Sequence, residues 1–168
     1  GDRGIEPARE VACGADPASM CETAANFKGV EHRIEYVATI DGIAFYNDSK
    51  ATSVDAAVKA LEAISEGNAK TVLILGGRGK NAPYAPLAPL IEKSVRGIVV
   101  IGEDADNIES QLRGTVEIVR GTTLEDAVER SAELAEKGDV VLLAPACASF
   151  DMFASFEERG RIFKEAVM

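Results

Sequence analysis

Thr71-Val72-Leu73-Ile74-Leu75-Gly76-Gly77-Arg78-Gly79-Lys80-Asn81 runs from apolar residues straight into glycines and two cations. The first five residues have the β-branched character of a strand, and the glycines mark the turn that ends it. Outward from this stretch the same alternation repeats. Short runs at Ile34–Ile40, Ile43–Asn47, Gly97–Ile101, Val116–Val119 and Val140–Leu143 read as further strands. Asp41-Gly42 joins the first two as a hairpin, because glycine accepts the positive φ of a tight turn.

Helix-length segments separate the other strands, which implies crossover connections and a parallel sheet. In Ser53–Ile64, the residues Val54, Ala57, Val58, Leu61 and Ile64 share one helical face. A second helix is expected over Thr123–Glu136, with Leu124, Ala127, Val128, Ala132 and Leu134 inward. Ser155 and Glu158 have capping-box spacing and start a last helix that turns Ile162, Phe163 and Val167 inward. Pro83, Pro86 and Pro89 delay the helix after Asn81, since proline suits a first turn and harms an interior. The expected fold is α/β and Rossmann-like: a doubly wound, mostly parallel six-stranded sheet with an N-terminal hairpin strand and helices on both faces.

The chain has 168 residues, 46% of them apolar, with 18 Lys and Arg against 28 Asp and Glu, a formal charge of −10. Such an apolar share supports a packed core, and the acidic balance argues against general nucleic-acid or anionic-membrane binding. No apolar run approaches the roughly 20 residues of a membrane span, and Gly1-Asp2-Arg3-Gly4 does not open an export signal, so a cytoplasmic location is expected. Cys13, Cys21 and Cys147, with the single His32, suggest neither a disulfide framework nor a zinc site. Residues 1–26 fit the α/β pattern less well. Asp16-Pro17 reads as a helix start, with Met20, Cys21, Ala24 and Ala25 as a weak apolar face, and the segment reads as the end of a preceding domain or a linker helix. Residues 27–168 then form the main domain.

Loops at the carboxyl ends of parallel strands meet helix N-termini, where ligands bind. Three such loops carry unusual residues. In Asn47-Asp48-Ser49-Lys50-Ala51-Thr52-Ser53, the hydroxyls and Asp48 could serve only as turn and cap groups, a reading that leaves Lys50 without a task. The Gly76–Asn81 turn fails as a Walker A loop, because Ile74 and Asn81 stand where glycine and Ser or Thr are needed. Gly77-Arg78-Gly79-Lys80-Asn81-Ala82 does match the dinucleotide pattern G-x-G-x-x-A, with Glu103 placed as a ribose-binding acid, and a nicotinamide-dinucleotide oxidoreductase domain is one alternative. A plain glycine turn on a non-catalytic acidic interaction domain is another. In Pro145-Ala146-Cys147-Ala148-Ser149-Phe150-Asp151, small residues leave backbone N–H groups accessible and Ser149 offers a hydroxyl. Cys147 lacks a nearby base and reads as a buried apolar residue, not a nucleophile. Arg33, Lys50, Arg78 and Lys80 together could line a cationic pocket on an acidic protein.

Taken in order, Phe27-Lys28-Gly29-Val30-Glu31-His32-Arg33, Asn47-Asp48-Ser49-Lys50-Ala51-Thr52, Gly76-Gly77-Arg78-Gly79-Lys80, and Pro145 to Asp151 continuing to Phe156-Glu157-Glu158-Arg159-Gly160 resemble the Mur ligase family, and within it the D-glutamate-adding branch. The resemblance covers roughly residues 20–168. It implies the C-terminal domain of a three-domain enzyme of peptidoglycan synthesis, preceded in residues 1–26 by the end of the central domain. The implied reaction uses ATP and Mg2+ to phosphorylate the carboxylate of UDP-N-acetylmuramoyl-L-alanine, after which the D-glutamate amine displaces phosphate. By motif position it implies that Thr52, Lys80, Ser149, Phe150 and Phe156 contact D-glutamate, and that Arg33, Asp48 and Lys50 face the nucleotide. It places the phosphate loop and the metal ligands in the missing N-terminal and central domains, so this chain is expected to hold no metal or tightly bound cofactor and not to ligate alone. Ser53 and Ala144 depart from the family pattern, which has asparagine and serine there, without removing a charge.

Overall fold

In the computed structural model, which describes residues 30–65 and 69–168, a six-stranded sheet runs in the order β1-β2-β6-β3-β4-β5. The strands are β1 (Glu35–Ile40), β2 (Ile43–Asn47), β3 (Thr71–Gly76), β4 (Val95–Ile101), β5 (Glu117–Arg120) and β6 (Val140–Leu143). The helices are α1 (Val54–Ile64), α2 (Ala88–Ser94), α3 (Ala105–Leu112), α4 (Leu124–Leu134) and α5 (Phe156–Val167). Only β1 is antiparallel to its neighbour; it pairs with β2 across Asp41, at φ 52°, and Gly42, at φ 85°. The expected fold class is therefore the observed one. The Asp16-Pro17 helix expected near the start lies outside the described residues.

The helices divide between faces because the chain reverses direction once. From β2 to β5 it advances across the sheet, through α1, α2 and α3, and from β5 it returns through α4 to insert β6 at the centre. Crossovers of one hand put helices from opposite directions of travel on opposite faces. Residues of β3 accordingly split by parity. Leu73 and Leu75 pack with Leu61, Leu87, Ile91 and Ile108, while Val72 and Ile74 pack with Leu124, Val128, Phe163 and Val167. Both faces are covered, which is why β3 shows no polar alternation: all its residues are buried.

Local signals set the helix ends. Ser53 accepts the Ala56 N–H at 3.3 Å, Thr123 accepts that of Asp126 at 3.2 Å, and Ser155 accepts that of Glu158 at 3.2 Å, so all three are N-caps. Glu158 reaches back to the Ala154 N–H at 2.6 Å, one residue short of a full capping box. The proline-rich segment first makes a 3-10 turn, Ala85–Leu87, and α2 begins only at Ala88. At the opposite end of the sheet, Asp139 accepts from Lys70 N, Glu136 N and the Arg96 guanidinium, tying the starts of β3, β4 and β6 together.

Candidate functional site

Because β2, β6 and β3 are neighbours in the sheet, the loops that follow them lie side by side at one edge. Backbone bonds stitch them. Ala146 N donates to Ala51 O at 2.9 Å, Gly76 N to Pro145 O at 2.9 Å, and Arg78 and Ala148 exchange bonds of 2.9 and 3.0 Å. Ala146, at φ 59°, takes a left-handed conformation that a non-glycine residue adopts only when its surroundings require it. Gly77 has no alternative residue: at φ 127°, an added Cβ would fall 2.3 Å from the Ala148 carbonyl oxygen.

The expected site residues distribute around this junction. Lys80 and Thr52, from different loops, meet at 3.4 Å from Nζ to Oγ1. Lys50 sits 5.7 Å from the centre of the Phe156 ring, within cation–π range. Ser149 is buried at 2% exposure, whereas Phe150 beside it is 64% exposed. Arg33, Asp48 and Lys50 line one cavity of about 320 Å³ with Ile34. Lys50 also borders a second cavity of about 650 Å³, shared with His32, Phe156 and Arg161. Burial pushes the Asp48 carboxyl up, against the opposing pull of the Ile34 backbone N–H and the Arg33 charge. One acid among three cations, with Lys59 as the third, suits an anionic ligand better than a bare metal ion, and no cluster of metal-ligating side chains occurs among the described residues.

Several expectations need correction. Arg78 does not add to a cationic pocket: its Nε is 2.9 Å from Glu103 Oε2, and the two exposed charges offset each other. That same pair occupies the acid proposed to hold a ribose. The dinucleotide alternative also fails on the backbone, since Gly76, Gly77 and Arg78 donate their N–H groups to Pro145, Ile101 and Ala148 and have none to offer a pyrophosphate. No helix opens at this turn; the missing Cβ of Gly79 makes room instead for Asp104, whose Oδ2 would lie 2.2 Å from it. Within the first loop, only Ser53 acts as a helix cap. Cys147 is fully buried, its thiol pushed up to about 11 by burial, and it lies 3.0 Å from the Tyr84 hydroxyl. His32 is a structural residue, with Nδ1 3.0 Å from Asn47 Nδ2 and its ring packed where a Gly160 side chain would stand.

Two buried groups carry more of the site than their sequence context suggests. Asn47 Oδ1 accepts the Ser49 N–H at 3.1 Å, while its Nδ2 donates to Glu35 Oε2 at 3.0 Å. Arg159 is fully buried on α5 and donates to Ser49 Oγ at 3.0 Å, to Ser49 O at 2.9 Å, and to Cys147 O at 3.2 Å from both terminal nitrogens. Burial lowers its guanidinium to about 10, still protonated at neutral pH. The spacing Phe156, Arg159, Gly160, Phe163, Val167 puts Arg159 on the inner face of α5, the one available signal that it is buried. Ser53 and Ala144, the two departures from the family pattern, are here a cap and a fully buried residue.

A doubly wound sheet with the β2, β3 and β6 loops gathered at its carboxyl edge defines a Rossmann-like α/β domain. The family described as "Mur ligase, glutamate ligase domain" matches residues 32–147, and the chain belongs to the Mur ligase family. It is 52% identical over 157 residues to a UDP-N-acetylmuramoylalanine--D-glutamate ligase of Koribacter versatilis, an alignment covering 94% of this chain and 34% of that protein. The chain thus spans about a third of the length of the curated relatives it matches. In fold it is similar to UDP-N-acetylmuramate-alanine ligase from Thermotoga maritima, with TM-score 0.65 and 20% identity, over 94% of this chain and 35% of that one. It is likewise similar to MurF ligase from the same organism in complex with ADP, with TM-score 0.57 and 18% identity, over 89% and 37% of the two chains. No described helix is long and apolar enough to cross a membrane.

Proposed function

We propose that this chain is the D-glutamate-binding part of an ATP-dependent ligase that joins D-glutamate to UDP-N-acetylmuramoyl-L-alanine. The observation that carries the reading is the meeting of Lys80 and Thr52, from two loops, at 3.4 Å, in a chain 52% identical to a D-glutamate ligase. In this reading the γ-phosphoryl group of ATP passes to the muramoyl-alanine carboxylate, and the D-glutamate amine attacks the acyl phosphate, expelling phosphate and leaving an amide. Lys80 supplies a compact cation to a D-glutamate carboxylate, and Thr52 fixes its direction. In the same reading Ser149 and Phe150 from the β6 loop and Phe156 from α5 supply the remaining contacts to D-glutamate. Arg33 and Lys50 offset phosphate charge, and Asp48 orients the nucleotide from the same cavity wall.

Mg2+ would neutralise phosphoryl charge when bound. In this reading its ligands come from the rest of such an enzyme. Closure of the other domains onto this edge would exclude the water that hydrolyses an acyl phosphate.

The test is a chimera in which this chain replaces the corresponding 34% of the Koribacter versatilis relative. Lys80→Ala in the chimera raises KM for D-glutamate about tenfold or more, as loss of a charged hydrogen bond predicts. KM for ATP stays near that of the parent chimera. The 168-residue chain alone releases no ADP in the presence of ATP and D-glutamate. Turnover by the isolated chain, or an unchanged KM for D-glutamate in the variant, overturns the reading.

A further inference from the structure

We propose that Arg159 is the positioning residue of the loop cluster, holding the Ser49 turn, the Cys147 turn and the start of α5 in the arrangement that presents Thr52, Ser149 and Phe156 to one ligand. The proposal rests on the D-glutamate reading of that edge. Burying a guanidinium is costly, and an apolar side chain of similar volume fills such a space with less loss. Among the described residues no carboxylate forms an ion pair with Arg159, so charge pairing does not account for it. What an arginine adds is direction, because its planar fork fixes several acceptors at once.

The acceptors come from two loops far apart in the chain. Nε and one terminal nitrogen take the hydroxyl and carbonyl of Ser49, and both terminal nitrogens take the Cys147 carbonyl. The Ser49 hydroxyl donates in turn to Phe156 O at 2.7 Å, which returns the chain of bonds to the first turn of α5. The third loop rests on the same group: a Cβ on Gly77 would stand 3.3 Å from Arg159 Nη1. One side chain therefore bonds two loops of the cluster and lies close to the third, and it is not among the residues assigned to the ligand.

The experiment follows D-glutamate binding and amide exchange by NMR in the whole chain and its Arg159→Lys, Arg159→Ala and Ser49→Ala variants. Arg159→Lys and Arg159→Ala weaken D-glutamate binding about tenfold or more, since lysine keeps the charge but not the fork. Methylguanidinium restores affinity to Arg159→Ala and not to Arg159→Lys. Ser49→Ala weakens binding about threefold through the loss of one acceptor. A folded Arg159→Lys variant with unchanged affinity overturns the proposal, as does methylguanidinium that raises the melting temperature of Arg159→Ala without restoring affinity. If neither Arg159 variant folds, Ser49→Ala decides, and unchanged affinity there overturns it. If the unsubstituted chain ignores D-glutamate, the ligand assignment fails. The positioning claim is then read from the Ala146 and Ala148 amides, whose faster exchange in the variants supports it and whose unchanged exchange overturns it.

Discussion

Gly77→Ala strikes the point where the β3 and β6 loops dock. Glycine at φ 127° has a conformation that an L-residue reaches only with strain of about 1–3 kcal/mol. Contact adds to this, because the new Cβ would lie 2.3 Å from the Ala148 carbonyl oxygen, a backbone atom that cannot swing aside. Relieving the overlap separates Arg78 from Ala148 and breaks their bonds of 2.9 and 3.0 Å, for about 1–3 kcal/mol more. The expected loss is about 2–6 kcal/mol, or roughly 4–24 °C in melting temperature for a chain of this size. Gly114→Ala is the matched control: its φ is 88°, but nothing lies within 4 Å of the added carbon. It should show about 1–2 kcal/mol from strain alone. Urea unfolding of both variants, with exchange of the Ala148 amide, measures the difference. Equal losses in the two variants, or a Gly77→Ala chain with its Ala148 amide still protected, would refute the docking argument.

Asp139 governs acid stability. Burial tends to raise its carboxyl, but Arg96 and the backbone N–H groups of Glu136 and Lys70 outweigh that and hold it below the ordinary value of 3.8. Its contribution is present above that value and lost as pH falls through the depressed one, so Asp139→Asn should lower stability at neutral pH and flatten the acid limb of the unfolding curve. An unflattened limb counts against it. Phe163, fully buried between sheet and helices, should cost about 3–5 kcal/mol on replacement by alanine, read from urea unfolding. With its thiol pushed up to about 11, Cys147 should resist iodoacetamide at pH 7.5 in the native chain and react once the chain is unfolded. Fast native alkylation would place Cys147 outside the core.

Most strands and long helices were legible because each depends on local pattern: an unbroken apolar run for β3, Asp41-Gly42 for the hairpin, and hydroxyl caps at Ser53, Thr123 and Ser155. The short helix α3 is not legible, since Ala105–Leu112 buries only Ala105, Ile108 and Leu112 among polar neighbours. Strand order was not legible either. That β6 slips between β2 and β3 depends on the α4 crossover, and no local run of residues encodes it. The Gly77–Ala82 pattern points to a dinucleotide because spacing alone does not report that the Gly77 and Arg78 N–H groups are already donated to neighbouring carbonyls. Arg159 was hidden for a related reason: arginine on a helix ordinarily faces solvent, and only the distant Ser49 and Cys147 make its burial tolerable.

In the proposed function the β2, β3 and β6 loops build one site for a small dicarboxylic amino acid. An NMR titration of the isolated chain with D-glutamate, L-glutamate and NADH tests it most directly. Saturable shifts are expected at the Thr52, Lys80 and Ser149 amides with D-glutamate, weaker ones with the L-enantiomer, and none at the Gly77–Ala82 turn with NADH. Shifts with NADH alone, or D-glutamate shifts confined to residues away from those loops, would contradict it.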